Sequence, residues 1–122
     1  MNLALIKTRT SIGIQAPLVA VEVHLSNGLP SFTIVGLPQT AVKESKDRVR
    51  SAIINSQFDF PSRKITVNLS PADLPKTGSG FDLPIAIGIL VASGQISADK
   101  LDSHEFVGEL ALCGDLNKIT GI

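Results

Sequence analysis

Residues 68–84 read Asn-Leu-Ser-Pro-Ala-Asp-Leu-Pro-Lys-Thr-Gly-Ser-Gly-Phe-Asp-Leu-Pro, and this stretch decides how the chain folds. It leads from a β-rich segment through a loop of prolines and glycines into an apolar run, Leu83 to Ala92. Because that run is apolar on every side, it predicts a helix buried inside the molecule rather than one on its surface. Functional residues concentrate on loops that a rigid scaffold holds in place. The loop that enters this helix is therefore the first candidate for chemistry.

The rest of the chain alternates between strand and helix patterns. Apolar residues spaced two apart predict strands, and a stripe at helical spacing between residues 39 and 57 predicts an amphipathic helix. The predicted strands cover residues 3–11, 17–26, 32–35 and 65–69, followed by a hairpin with strands at 106–112 and 116–119. With the buried helix, predicted at 83–93, these patterns indicate an α+β fold, a mixed sheet with two main helices packed on it.

Local signals predict how these elements pair and end. Asn27-Gly28, between the second and third predicted strands, predicts that those two strands pair antiparallel. The helix at 39–57, followed by a strand, predicts a crossover connection. Asp82 is predicted to cap the buried helix at its N-terminus, and Gly94 is predicted to end it.

Composition narrows the class of protein. With 122 residues and 43% apolar content, the chain is long enough for one core of ordinary size. Its longest apolar run is half of the roughly 20 residues that a bilayer requires, and no signal-peptide pattern opens the chain, so we expect a cytoplasmic protein without membrane contact. One cysteine, Cys113, and two histidines are too few for an internal disulfide or a zinc site, so no metal is expected.

Charge is distributed unevenly although the net charge is zero. Residues 1–64 carry eight Lys and Arg against four Asp and Glu, whereas residues 65–122 carry three against seven. The two halves either interleave in the fold and cancel, or they leave a basic face for an anionic partner.

The predicted helix at 39–57 carries much of the basic charge. Glu44 with Arg48, and Asp47 with Arg50, are spaced to pair, which favours a solvated helix surface over a contact surface. Under the alternative hypothesis, the chain contacts phosphates through basic side chains of this helix and of the segments that follow it. These candidates are Lys43, Lys46, Arg48, Arg50, Arg63, Lys64 and Lys76.

Three hypotheses compete for the loop that enters the buried helix. Backbone N–H groups of residues 78–80 at a helix N-terminus, with Lys76 nearby, could form a phosphate cradle. The lysine precedes the glycines, however, and Asp82 puts a negative charge where the phosphate would sit, which disfavours nucleotide binding. Ser79 activated by Lys76 or His104 would be a nucleophile, but a lysine base must lose its proton. The third hypothesis is a tight turn without chemistry.

Several motifs of this chain occur together, in the same order, in one known group of proteins. The longest reads Thr-Val-Asn-Leu-Ser-Pro-Ala-Asp-Leu-Pro-Lys at residues 66–76, and the others lie at 15–19, 21–30, 34–38, 46–52 and 81–86. On these motifs the chain resembles the amino-terminal domain of the ComM/YifB-type, magnesium-chelatase-related AAA+ ATPases. The resemblance runs through nearly the whole chain. It implies the fold of the Lon protease catalytic domain, which is related to domain 2 of ribosomal protein S5.

The resemblance also implies what the parent protein does. Proteins of this group are implicated in natural transformation and recombination, as hexameric motors that move branched DNA. Walker motifs are absent from these 122 residues, so ATP and Mg are expected only in an AAA+ module downstream. For residues 1–122 we expect a single Lon-like domain, truncated at its C-terminal end, with no cofactor of its own. The expected partners are further copies of the chain, in a hexamer, and DNA.

The same resemblance bears on the nucleophile hypothesis. Lon-type sites read Pro-Lys-Asp-Gly-Pro-Ser-Ala-Gly, and this register over residues 75–78 puts Gly80 at the position of the serine nucleophile. A shift of one residue would restore Ser79, although a misplacement of about 1 Å can already lower a rate about 10²-fold. We therefore expect a non-catalytic scaffold that engages DNA. The alternatives are a Lon-like serine peptidase, with Ser79 and Lys76 as weak catalytic candidates, and a pure oligomerisation module.

Overall fold

The computed structural model describes residues 2–10, 16–72, 74, 76, 80–99 and 101–117 and contains a mixed sheet with two helices. The main sheet consists of β1 (Leu3–Arg9), β2 (Leu18–Ser26), β3 (Ser31–Val35) and β4 (Lys64–Ser70). The helices are α1 (Gln39–Asn55) and α2 (Asp82–Ala92). A 3₁₀ turn, Leu101–Ser103, leads to the short strands β5 (Glu109–Leu110) and β6 (Leu116–Asn117). The predicted α+β architecture with two main helices is confirmed.

The order of strands in the main sheet is β1-β2-β4-β3. β3 pairs parallel with β4, and α1 connects them, so the predicted crossover is confirmed. The predicted hairpin between β2 and β3 is wrong, because β4 lies beside β2, with Val21 opposite Leu69 and Val23 opposite Val67. Burial explains this order. β4 buries three apolar side chains almost completely and β3 only two, so the edge position suits β3.

The hydrophobic core lies on one face of this sheet, under α2. The four alternate side chains of β2 from Val19 to Leu25 share that face, as predicted, and each is at most 1% exposed. Nine of the eleven residues of α2 are buried, including Ile85 and Ile89 at 0% exposure, which confirms the predicted buried helix. No helix in the described part of the chain is both long and apolar enough to span a membrane.

Gly88 sets how closely α2 approaches the sheet. A Cβ atom at this position would collide with Cγ2 of Val23 and lie 3.4 Å from Ile6. Overpacking of this kind costs about 1–3 kcal/mol, which exceeds the gain of about 1 kcal/mol from replacing a helical glycine by alanine. We expect Gly88→Ala to lower the free energy of unfolding in urea by about 1 kcal/mol.

Val23→Ala provides the control for Gly88→Ala, because it removes the Cγ2 atom that the new methyl group would meet. In the Val23→Ala background, Gly88→Ala should be neutral or stabilising. An equal loss of stability in both backgrounds would contradict the close approach.

The ends of α2 agree only in part with the sequence prediction. Asp82 is not the N-cap, because Phe81 occupies that position without a side-chain hydrogen bond and Asp82 begins the helix. Its carboxylate instead accepts hydrogen bonds from other elements and is not available to its own helix. Gly94 follows the last turn with φ +78°, which confirms the predicted stop. The second hairpin is also confirmed. β5 is shorter than the predicted 106–112, and the last two residues of the second predicted strand, 118 and 119, lie outside the described residues.

Candidate functional site

The loop before α2 holds Lys76 in the interior. The side chain is 4% exposed, and its Nζ donates to the carbonyl oxygens of Pro71 (2.5 Å) and Leu74 (2.9 Å). Both contacts use ammonium protons as donors, whereas a lysine that acts as a base must offer a lone pair. Lys76 therefore links two positions of the same loop through its ammonium group, and it is not exposed for a phosphate contact. Ser79, the candidate nucleophile, lies outside the described residues.

Asp82 joins three elements immediately after this loop. Its side chain is 1% exposed, and its Oδ1 accepts a hydrogen bond of 2.7 Å from Ser45 Oγ on α1. Its Oδ2 lies 2.5 Å from Nε of Arg48, also on α1, and 3.1 Å from the backbone N of Leu110 on β5. An acidic group in the first turn also favours the positive end of the helix dipole. Asp82 thus fixes the start of α2 against both α1 and β5.

Arg48 serves this junction and not the outer surface. Its side chain is 21% exposed, and its second partner, Glu44, lies 3.6 Å from Nη1 as predicted. The hydrogen bond to Asp82 raises the pKa of Arg48 above its ordinary value, and burial acts in the opposite direction. Sequence reasoning placed Arg48 among the phosphate candidates and did not find Asp82 as its partner, because the two are 34 positions apart.

The other basic candidates lie on α1 and at the start of β4. Lys43 and Arg50 are exposed on α1, and Lys46 on the same helix has its Nζ 5.9 Å from the ring centroid of Phe32. Arg63 directly precedes β4, and the exposed Lys64 begins it. The predicted pair of Asp47 and Arg50 does not form, although the structure describes both residues.

Arg50 and Arg63, which are 13 positions apart in sequence, come together at one cleft of about 310 Å³. We call it the basic cleft. Its walls are the C-terminal half of α1, the start of β3 and the segment that leads into β4. The residues that line it are Pro30, Ser31, Arg50, Ile54, Phe60, Pro61, Ser62 and Arg63. Two are arginines and none is acidic, so the lining carries a net positive charge.

Phe60 supports one side of the basic cleft. The guanidinium carbon of Arg50 lies 4.7 Å from the Phe60 ring centroid, and the rings of Phe60 and Phe32 are 5.6 Å apart. Sequence reasoning did not identify Ser31, Phe60 and Ser62 as cleft residues. No motif marks them, because their proximity to Arg50 depends on the crossover between β3 and β4.

The remaining candidates are the two histidines and the single cysteine. His24, His104 and Cys113 are all exposed. Among the residues that the structure describes, no group of three or more His, Cys, Asp or Glu side chains could hold a metal ion.

A comparison with known protein families matches most of this chain. Residues 21–122 match the family described as subunit ChlI of Mg-chelatase. The chain belongs to this family. The matched residues of this chain include both helices, Asp82 and every residue that lines the basic cleft.

Individual relatives extend the comparison to the whole chain. Competence protein ComM of Haemophilus influenzae is 62% identical over 122 residues, which are 100% of this chain and 24% of that protein. YifB of Escherichia coli is 59% identical over 121 residues, 99% of this chain and 24% of YifB. Rv2897c of Mycobacterium tuberculosis is 37% identical over 110 residues, 90% of this chain and 22% of that protein. The resemblance to the ComM/YifB group is confirmed, and the chain spans about a quarter of the length of these relatives.

Proposed function

We propose that the chain is the non-catalytic, DNA-engaging N-terminal domain of a ComM-like hexameric AAA+ ATPase that drives DNA branch migration in natural transformation and recombination. The identity of 62% to a competence protein over the full chain supports the choice of parent protein. One observation carries the DNA-engaging role. Two arginines without a carboxylate partner among the described residues meet at a cleft whose lining has no acidic side chain.

The proposal includes an arrangement of domains. Residues 1–122 form a Lon-like domain, related to domain 2 of ribosomal protein S5. A cytoplasmic AAA+ module that binds ATP and Mg follows it in the full-length protein. The four-stranded mixed sheet with a β3-α1-β4 crossover is compatible with this classification. The domain then acts as a scaffold on which the hexamer assembles and through which it contacts DNA.

The absence of peptidase chemistry is part of the proposal. Lys76 donates both of its described hydrogen bonds to loop carbonyls, which supports a structural lysine rather than a general base. A fluorophosphonate probe should therefore leave the chain unlabelled. Labelling that disappears in Ser79→Ala would overturn this part of the proposal.

Binding of the 122-residue chain to a fluorescein-labelled duplex, followed by anisotropy, tests the DNA-engaging role. We expect binding that is independent of base sequence and at least tenfold weaker at about 200 mM than at about 50 mM salt, because each phosphate contact releases counterions. If no duplex or branched DNA binds at the lower salt concentration, the DNA-engaging role is wrong. Sedimentation with and without DNA then shows whether the chain assembles. Assembly without DNA binding would support a pure oligomerisation module.

A further inference from the structure

We propose that the basic cleft is a phosphodiester-binding site for a nucleic-acid strand, with Arg50 and Arg63 as its cationic ligands and Ser31 and Ser62 as its hydroxyl donors. This inference rests on the proposed function and specifies the residues that carry it. It distinguishes the two arginines of the cleft from the other basic side chains of the surface. The site would bind backbone phosphate and leave base identity unread.

The two arginines are held in place but keep donors available. Arg50 contacts the Phe60 ring through its guanidinium, and a cation–π contact occupies none of its N–H donors. Arg63 donates from Nη1 to Oδ1 of Asn2 at 2.8 Å, which occupies one of its five donors. No described carboxylate forms an ion pair with either side chain. A phosphate suits such a pair, because guanidinium groups bind phosphate oxygens through two parallel hydrogen bonds.

The backbone around the cleft is fixed by the sheet. The N–H of Ser31 donates to the carbonyl of Arg63 at 3.3 Å, which ties the start of β3 to the start of β4. The two serines and Arg63 therefore belong to one rigid corner, while Arg50 reaches it from α1. Binding there requires little ordering of the protein, which lowers the entropic cost of association.

The shape of the cleft favours a nucleic-acid backbone over a compact anion. Its volume of about 310 Å³ exceeds what a phosphate group alone requires, and Pro30, Ile54 and Pro61 provide apolar walls for an adjoining sugar. Lys46 lies one helical turn before Arg50, and Lys64 directly follows Arg63. A strand with a phosphate at every nucleotide can engage the flanking lysines together with the arginines, whereas an isolated anion can reach only the cleft.

The test compares single charge removals at matched positions. Arg50→Gln and Arg63→Gln remove one charge each from the cleft, and Lys43→Gln removes one from the exposed surface of the same helix outside it. Affinity for a fluorescein-labelled oligothymidylate and for a mixed-sequence duplex is measured at low salt. We expect each arginine variant to bind about five- to tenfold more weakly with both probes, since a phosphate contact acts uniformly across sequences. Lys43→Gln should change affinity less than twofold.

Circular dichroism first establishes that each variant keeps the secondary structure and unfolding midpoint of the parent chain. If the parent chain binds DNA and both arginine variants bind equally well, the cleft inference is wrong while the proposed function stands. If the parent chain binds no DNA, the proposed function itself fails.

Three probes identify the ligand: the oligothymidylate, inorganic phosphate and polyglutamate. Each is added separately, and the shifts that it causes in the backbone amide spectrum of the cleft residues are compared. Shifts at Ser31 and Ser62 with the oligothymidylate, and weaker ones with inorganic phosphate, support the inference. Shifts with phosphate alone indicate a free phosphorylated molecule and overturn the assignment to a strand. Shifts with polyglutamate but not with DNA indicate an acidic peptide and overturn it as well.

Discussion

Replacing Asp82 by alanine should lower the free energy of unfolding by about 3 kcal/mol, because the substitution removes one member of a buried ion pair. Three donors would lose their acceptor: Ser45 Oγ, the Arg48 guanidinium and the backbone N–H of Leu110. Arg48 is 21% exposed and can recover water, so we expect a value at the lower end of the usual range of about 3–5 kcal/mol. Urea unfolding followed by circular dichroism measures the loss.

Asp59→Ala is the matched control for Asp82→Ala, because Asp59 is exposed and its described hydrogen bonds, both with the Gln95 side chain, involve its backbone N–H and carbonyl oxygen rather than its carboxylate. It should change the free energy of unfolding by less than about 0.5 kcal/mol. Ser45→Ala should fall between the two, with a loss of about 1 kcal/mol for one hydrogen bond. Equal stability of Asp82→Ala and Asp59→Ala would show that Asp82 does not join the helices.

The junction at Asp82 also determines which tests of DNA binding are informative. Arg48→Glu would place a second carboxylate beside Asp82 and so should destabilise the fold at least as much as Asp82→Ala. Weaker DNA binding by that variant would therefore not identify Arg48 as a phosphate contact. Arg50 and Arg63, which have no partner in the core, provide the cleaner test.

Gly36→Ala should be the second large loss of stability, also about 3 kcal/mol. Gly36 directly follows β3 and has φ +106°, a conformation that costs a residue with a Cβ about 1–3 kcal/mol. An added Cβ would also lie 2.5 Å from the backbone oxygen of Leu69, which β4 holds in place. Backbone in a sheet cannot move aside as a flexible side chain can, so a steric cost of about 1–3 kcal/mol adds to the strain. Urea unfolding again measures the effect.

Gly28→Ala is the control for the steric part of this prediction. Gly28 has a positive φ of +142°, but no atom lies within 4 Å of an added Cβ. Its substitution should show the backbone strain alone and cost less than Gly36→Ala. If the two variants lose the same stability, the contact with Leu69 contributes nothing.

Sequence periodicity was sufficient for the main strands and helices but not for the pairing of the strands. The alternation of β2 and the uniformly apolar α2 are local patterns, and both appear in the structure as predicted. The Asn27-Gly28 signal is local too, but it cannot show that β4 competes with β3 for the place beside β2. That competition depends on how much apolar surface each strand buries, which is a property of the whole sheet.

The candidate functional residues, too, could be predicted only in part from the sequence. The sequence alone identified Arg50 and Arg63 as basic candidates, because the charged residue types can be read from it directly. It could not separate them from Arg48 and Lys76, whose partners are buried in the fold. Nor could it identify Ser62 as a neighbour of Arg50, since their proximity depends on the crossover.

The salt dependence of duplex binding tests the central claim most directly, that the basic cleft binds DNA phosphates. A logarithmic plot of affinity against salt concentration has a slope of about −0.9 for each phosphate contact. The account predicts that the double variant Arg50→Gln, Arg63→Gln has a slope shallower than that of the parent chain by about 1.8. Equal slopes for the parent chain and the double variant would contradict the claim, because they would place the phosphate contacts elsewhere on the molecule.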